Sequence, residues 1–244
     1  MRPVSKGNLP YLYANGEPYG QAADGLAARI GKYCSYCERL LDHGREVEHI
    51  QPKSIVANNA LETAWSNFLL ACKNCNATKS KHNPGLDEWL IPDRDNTQAA
   101  FVYREDGILD VAPPLLAPTR TQADKTLELM KLNREVRRLV DEKGNLVALD
   151  RRSQRMQAWL LAQRWVQKYT ARPTTDNADA IIDLARTGGF FSVWMTAFLA
   201  FPDIRQKLID EDDFKGTEKS CFDAATLATV KHPNADGWLH GGKL

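Results

Sequence analysis

Four of the five cysteines in the 244-residue chain form two Cys-x-x-Cys pairs, Cys34/Cys37 and Cys72/Cys75, with 34 residues between the pairs. Each pair can turn two thiolates toward one tetrahedral Zn²⁺ at about 2.3 Å. Two pairs close the coordination sphere, so such a zinc is structural and leaves no open position for a reaction. Metal binding would supply folding free energy to a segment too small for a core of its own. The gap is long enough to clip a substantial element between the pairs. Cys221 stands alone and reads as a small buried hydrophobe.

The clipped segment holds the reactive side chains. It contains Glu46-Val47-Glu48-His49-Ile50-Gln51-Pro52-Lys53-Ser54, then Trp65-Ser66-Asn67-Phe68 running into Cys72, then Cys75-Asn76-Ala77-Thr78-Lys79. Val47 and Ile50 suit a strand, which turns the adjacent Glu48 and His49 to opposite sides. That is awkward for two ligands of one metal and natural for two roles. A neutral His49 can take a proton from water attacking phosphorus. Glu48 and Asn76 offer a carboxylate and an amide oxygen, a hard-oxygen set suited to Mg²⁺ or Mn²⁺. A divalent ion there neutralises charge on the phosphate and the leaving oxygen. Between Arg29 and His82 there are 8 Lys+Arg against 5 Asp+Glu, with Lys53 and Lys79 the cations placed to meet phosphate. No helix with base-reading side chains is apparent, so backbone contact is favoured over base readout. Trp65 reads as core, and His43 and His82 as surface residues.

The run CSYCE…EVEHIQPKS…WSNFLLACKNCNATK resembles the HNH endonucleases. That resemblance implies a ββα-metal finger. By position it makes His49 the general base, Glu48 and Asn76 ligands of the catalytic divalent ion, and Asn67 the brace of the loop carrying the histidine. Cys34, Cys37, Cys72 and Cys75 become the structural zinc ligands. Asn76 stands where His is common in the family, and Glu48 where Asp is commoner; both keep an oxygen ligand. MRPVSKG, YCSYCE, EHIQPKS, LLACKNCNATK and ADKTLELMKLN are further similar to the HNH subunit of Septu-type antiphage systems, which also occurs as a retron effector. This wider likeness implies an ABC/SMC-like ATPase partner and a nucleic-acid substrate, DNA before RNA. The C-terminal helices, including Gly189–Phe201, become candidate docking elements for that partner. The competing readings are a zinc module that binds nucleic acid or protein without catalysis, needing only the four cysteines, and an RNA-cleaving effector with a tRNA-type substrate.

The elements that must position these residues divide the chain. Residues 1–30 read as an irregular arm and a short helix over Ala22–Ile30, and 31–95 as the nuclease domain. Residues 96–118 hold a hairpin around Asp106-Gly107 and a Pro-rich connection. The rest, 119–244, is mainly helical, giving an α+β chain with a zinc-stapled finger ahead of a helical C-terminal region. Helical spacing runs from Thr121 or Asp124 through Leu127, Met130, Leu132, Val136, Leu139 and Val140 to Gly144-Asn145. It resumes over Ser153–Tyr169, Thr175–Arg186 and Phe190–Leu208. The last 30 residues carry no firm periodicity.

Composition bounds the class. With 43% hydrophobic and 26% charged residues, the chain is neither disordered nor collagen-like. The apolar stretch Gly189–Phe201 is too short to cross a bilayer, which takes roughly 20 residues, and reads first as a buried helix; no secretory signal is visible. The expectation is no membrane and a reducing cytoplasm, where clustered Cys bind metal. A net charge of +1 argues against a protein that coats nucleic acid by bulk charge and leaves a local basic site open. The total is uneven: Thr119–Arg172 has 13 Lys+Arg against 6 Asp+Glu, and Asp203–Asp223 has 4 against 7. The basic region reads either as solvated helix faces or as phosphate contacts.

Overall fold

The computed structural model describes residues 1–134, 150–210 and 214–244. The arm at the start of the chain is irregular but anchored. Tyr13 is buried and donates through its hydroxyl to the Thr63 carbonyl at 2.8 Å, and the Trp65 indole donates to the Gly7 carbonyl at 2.9 Å. Helix α1 (Ala22–Ile30) follows, burying Ala22, Gly25, Leu26 and Ile30.

Strand β1 (Arg45–His49) pairs antiparallel with β2 (Phe68–Cys72), with Glu48 opposite Leu69 and His49 opposite Phe68. The Phe-Leu-Leu-Ala-Cys run of β2 is buried throughout. Helix α2 (Lys73–Lys79) begins at once after β2, its first turn capped by the Cys72 sulfur, which accepts from the Cys75 N–H at 3.4 Å. The order is strand, strand, helix. A lone two-stranded sheet is marginal in water, so this unit depends on what surrounds it.

Helix α3 (Thr97–Ala100) leads into the hairpin of β3 (Phe101–Tyr103) and β4 (Leu109–Val111). Helix α4 (Thr119–Met130) then ends at Lys131, which takes a left-handed conformation. The expected helix was longer: Leu132 already lies beyond its end, and Val136, Leu139, Val140 and Gly144-Asn145 fall outside the described residues. Helix α5 (Arg151–Ala171) starts at an Asp150 cap that accepts from the Ser153 N–H at 2.6 Å. Helix α6 (Thr175–Gly188) is capped in the same way by Thr174. In place of one helix over Phe190–Leu208 there are two, α7 (Phe191–Ala197) and α8 (Pro202–Ile209). Pro202 cannot donate to a preceding turn and disfavours helical backbone at Phe201, so it starts a new helix instead of extending the old one.

One apolar core joins α1, the β1–β2 pair, α4 and the hairpin; a second joins α5 through α8 with Phe214, Cys221 and Phe222. Phe191, Trp194, Met195 and Phe198 are buried in the second, so the apolarity of Gly189–Phe201 is used inside the chain. The basic region is likewise turned inward in part. Arg155 is buried and donates to the Gly107 and Leu132 carbonyls, and Arg151 is buried against the Met130 and Lys131 carbonyls. Among the described residues, no helix is long and apolar enough to cross a membrane.

Candidate active cleft and metal centre

Cys34, Cys37, Cys72 and Cys75 converge, all buried, with their ligand atoms within 4.8 Å of one another. The first pair sits on a tight turn in which the Glu38 N–H donates to the Cys34 carbonyl at 2.9 Å. The second pair spans the end of β2 and the first turn of α2. No disulfide forms among them. The Cys37 and Cys72 sulfurs are 3.8 Å apart, and a tetrahedron with 2.3 Å metal–sulfur bonds has edges of about 3.8 Å. The cluster therefore fits one Zn²⁺. Burial pushes the Cys34 thiol well up, whereas hydrogen bonds from the other three sulfurs pull Cys72 down. Arg151, at the start of α5, donates to the Cys75 sulfur at 3.3 Å. A positive charge there favours thiolate at the cluster.

Beside this cluster lies a cleft of about 710 Å³. Its walls come from the Tyr19–Ala23 turn, β1, the loop after β1 and the exposed side of α2. His49 ends β1 and is 8% exposed. Its Nε2 lies 2.8 Å from the Glu62 carbonyl. A carbonyl only accepts, so Nε2 carries the proton and Nδ1 keeps the basic lone pair. Burial lowers the His49 pKa from the ordinary 6.5, so the ring is neutral at pH 7. Phe68 and Tyr19 pack edge-on against it, with ring centres 5.1 and 4.8 Å away.

Asn67 ties down the loop that follows the histidine. Its Oδ1 accepts from the Gln51 N–H at 2.8 Å, and its Nδ2 donates to the Gln51 and Leu61 carbonyls at 2.9 and 3.1 Å. Lys53 borders the cleft, 38% exposed at its side chain, with Nζ 3.9 Å from the centre of the Tyr19 ring.

Glu48 and Lys79 are placed differently from their sequence reading. Glu48 is 2% exposed; one carboxylate oxygen takes the Lys79 ammonium at 2.7 Å and the other takes the Tyr36 hydroxyl. Lys79 is fully buried and also donates to the His49 carbonyl at 2.6 Å. It is therefore no phosphate contact: it faces β1 from the inner side of α2, and its charge is answered within the fold. Asn76, one turn earlier on the same side of α2, borders the cleft and donates to Glu46 Oε2 at 2.7 Å. His82 is exposed, Trp65 is buried, and Cys221 is buried in the second core.

Three contributors escaped the sequence reading. Glu46 lies two residues before Glu48 and so shares its face of β1, a period-2 signal that could have found it. Tyr19 and Arg151 carry no local signal, since both reach the site from distant elements. No curated protein matches the chain. Residues 34–82, running from the first cysteine of the cluster past the end of α2, match the family model described as HNH endonuclease, and this match supports an HNH nuclease domain acting on nucleic acid in that segment.

Proposed function

We propose that the protein is a metal-dependent HNH endonuclease that hydrolyses phosphodiester bonds in DNA. One observation carries the reading. His49 presents a neutral ring whose Nδ1 takes no hydrogen bond among the described residues, in a cleft that also holds carboxylate and amide oxygens and opens to Lys53 and Lys81. The carboxylate and amide oxygens that line the cleft are hard donors that fit Mg²⁺ or Mn²⁺. When bound, such an ion offsets charge on the attacked phosphate and on the leaving oxygen.

The chain's own residues supply the rest. Glu62, through its carbonyl, fixes the tautomer of His49, and Phe68 and Tyr19 fix its plane. Nδ1 takes the proton of the attacking water; the nearby Glu48 carboxylate favours the imidazolium that results, while the Lys53 and Lys79 ammoniums oppose it. Asn67 holds the loop so that the ring does not swing away. Lys53 and Lys81 receive the phosphate backbone. The Cys₄ zinc site anchors both β2 and α2, and so fixes Asn76 relative to β1.

We further infer an effector role in antiphage defence with an ATPase partner. The support is the likeness to Septu-type subunits. Within the fold, Lys6 of MRPVSKG donates to the Phe68 carbonyl at 2.8 Å, which ties that segment to β2, the strand whose Phe68 packs His49.

The full chain, alone and with any ATPase found encoded beside it, is incubated with supercoiled plasmid and with RNA plus Mg²⁺ or Mn²⁺. The expected result is metal-dependent plasmid cleavage that His49→Ala reduces at least about 100-fold. Cleavage by His49→Ala at the parent rate overturns the assignment of the base. Cleavage confined to RNA overturns the choice of DNA. Loss of phage protection in cells carrying His49→Ala is the expected result for the defence role, and full protection overturns it.

A further inference from the structure

Helix α2 lies against the face of β1 that carries Glu46 and Glu48, and the two elements meet in two rungs. Asn76 reaches Glu46 at 2.7 Å, and Lys79 reaches Glu48 at 2.7 Å. The rungs differ in charge and in access. In the inner rung the carboxylate is buried, and both oxygens are occupied, one by an ammonium and one by a hydroxyl. In the outer rung the carboxylate is half-buried and faces a neutral amide, which cannot compensate its charge. Among the described residues, no hydrogen bond or ion pair reaches Oε1 of Glu46. The neighbouring Arg45 is engaged elsewhere, by Asp24 at 3.2 Å.

A hard divalent cation needs anionic oxygen with free lone pairs and room for retained waters. The outer rung meets both conditions. The inner rung meets them poorly: Glu48 borders the cleft but is 2% exposed, and a cation on its carboxylate would crowd the buried Lys79 ammonium and compete for its partner.

We propose that Glu46, together with Asn76, holds the divalent cation of the cleft, and that Glu48 is a positioning residue. Glu48 fixes Lys79, and Lys79 fixes the His49 carbonyl, so this inner rung sets where β1 ends and where the imidazole stands. The inference rests on the nuclease reading above and assigns within it a carboxylate that the sequence pattern places one rung further in.

The test is calorimetric titration of Mn²⁺ into the zinc-loaded full chain, with thermal melting as a second readout. Glu46→Gln keeps the shape and the hydrogen bond to Asn76. It is expected to weaken Mn²⁺ binding about tenfold or more, with zinc content and melting temperature unchanged. Glu48→Gln is expected to lower the melting temperature while keeping Mn²⁺ affinity within about twofold of the parent, well short of the loss that removing a metal partner brings. The proposal is overturned if Glu46→Gln binds Mn²⁺ like the parent, or if a folded Glu48→Gln loses Mn²⁺. These outcomes are separate from failure of the nuclease reading, in which the parent itself neither binds Mn²⁺ nor cuts, and which removes both.

Discussion

The Tyr19 ring stands edge-on to the His49 imidazole, with centres 4.8 Å apart and planes inclined at 69°. The same ring lies under Lys53 Nζ. An aromatic thirty residues upstream thus forms one wall of the histidine's slot, with Phe68 as another, and holds a cation at the cleft. The arm before α1 belongs to the site.

Tyr19→Ala removes that wall. His49 keeps its bond to the Glu62 carbonyl, but its ring gains freedom about that bond. Small misplacements of a reacting group cost up to about 100-fold in rate. We expect Tyr19→Ala to cut plasmid about 10-fold to 100-fold more slowly, and Tyr19→Phe to stay near the parent, because the packing needs the ring and not the hydroxyl. Equal loss in both variants would show that the hydroxyl, and not the wall, matters.

Arg151 ties the four-cysteine cluster to the helical region through its 3.3 Å contact with the Cys75 sulfur. Groups that hydrogen-bond metal ligands typically change affinity 10-fold to 100-fold. Arg151→Met keeps most of the stem and removes the donor. We expect its zinc to pass to a chromophoric chelator at concentrations about tenfold lower than for the parent. Unchanged competition would reduce the contact to packing. Stripping zinc from the parent should also lower its melting temperature sharply, since the first cysteine turn grips α7. The Glu38 carboxylate accepts from the Ser192 N–H at 3.0 Å and from its hydroxyl at 2.5 Å.

What the sequence reveals here divides by range. The cysteine pairs are legible because a Cys-x-x-Cys turn is local, and two of them need one shared ion. The hairpin is legible because Asp106-Gly107 is flanked by two short apolar runs. Lys79 is not legible in this way, because a lysine near a catalytic motif looks solvated whether or not it is buried. Only the packing of α2 on β1 shows that its ammonium closes an internal charge pair. The basic region is legible only as a total: a charge count does not say which arginines turn inward, and Arg151 and Arg155 bind carbonyls of the preceding segments while most of the region's described cations face solvent. Tyr19 and Arg151 come from elements that no periodicity connects to the finger.

Gly189 joins α6 to the cysteine turn. Its φ is +76°, and a Cβ built there would sit 2.5 Å from the Glu38 carbonyl oxygen and 2.8 Å from the Leu40 nitrogen. Both are backbone atoms, so neither can swing aside. Gly189→Ala therefore meets a strained conformation and a clash together, at a cost on the order of 2 kcal/mol. Urea unfolding should show the loss, whereas Gly188→Ala, which meets nothing within 4 Å, should leave stability unchanged. Equal effects at the two positions would sink the argument.

Asp93 gives the stability a dependence on acid. It is buried, with Lys6 Nζ at 2.6 Å and Arg94 Nε at 2.9 Å. Burial alone would raise its pKa, but the two cations outweigh it and hold the carboxyl at about 2, below the ordinary 3.8. Lys6 shifts downward as well, because burial costs its ammonium more than Asp93 returns, so the pair's benefit is read from the carboxylate with its two cations. A carboxyl depressed in the fold binds fewer protons there than in the unfolded chain. Its contribution is therefore complete above the ordinary value and is lost as pH falls from about 4 to 2, amounting to about 2 kcal/mol. Asp95, raised by burial, has the opposite sign and does not add to this loss. Asp93→Asn should be less stable than the parent at pH 7 by about 3 kcal/mol, yet lose less on acidification. Urea midpoints at pH 7, 4 and 2.5 for both proteins measure the difference. A parent and variant that fall in parallel below pH 4 would show that the buried pair does not govern the acid response.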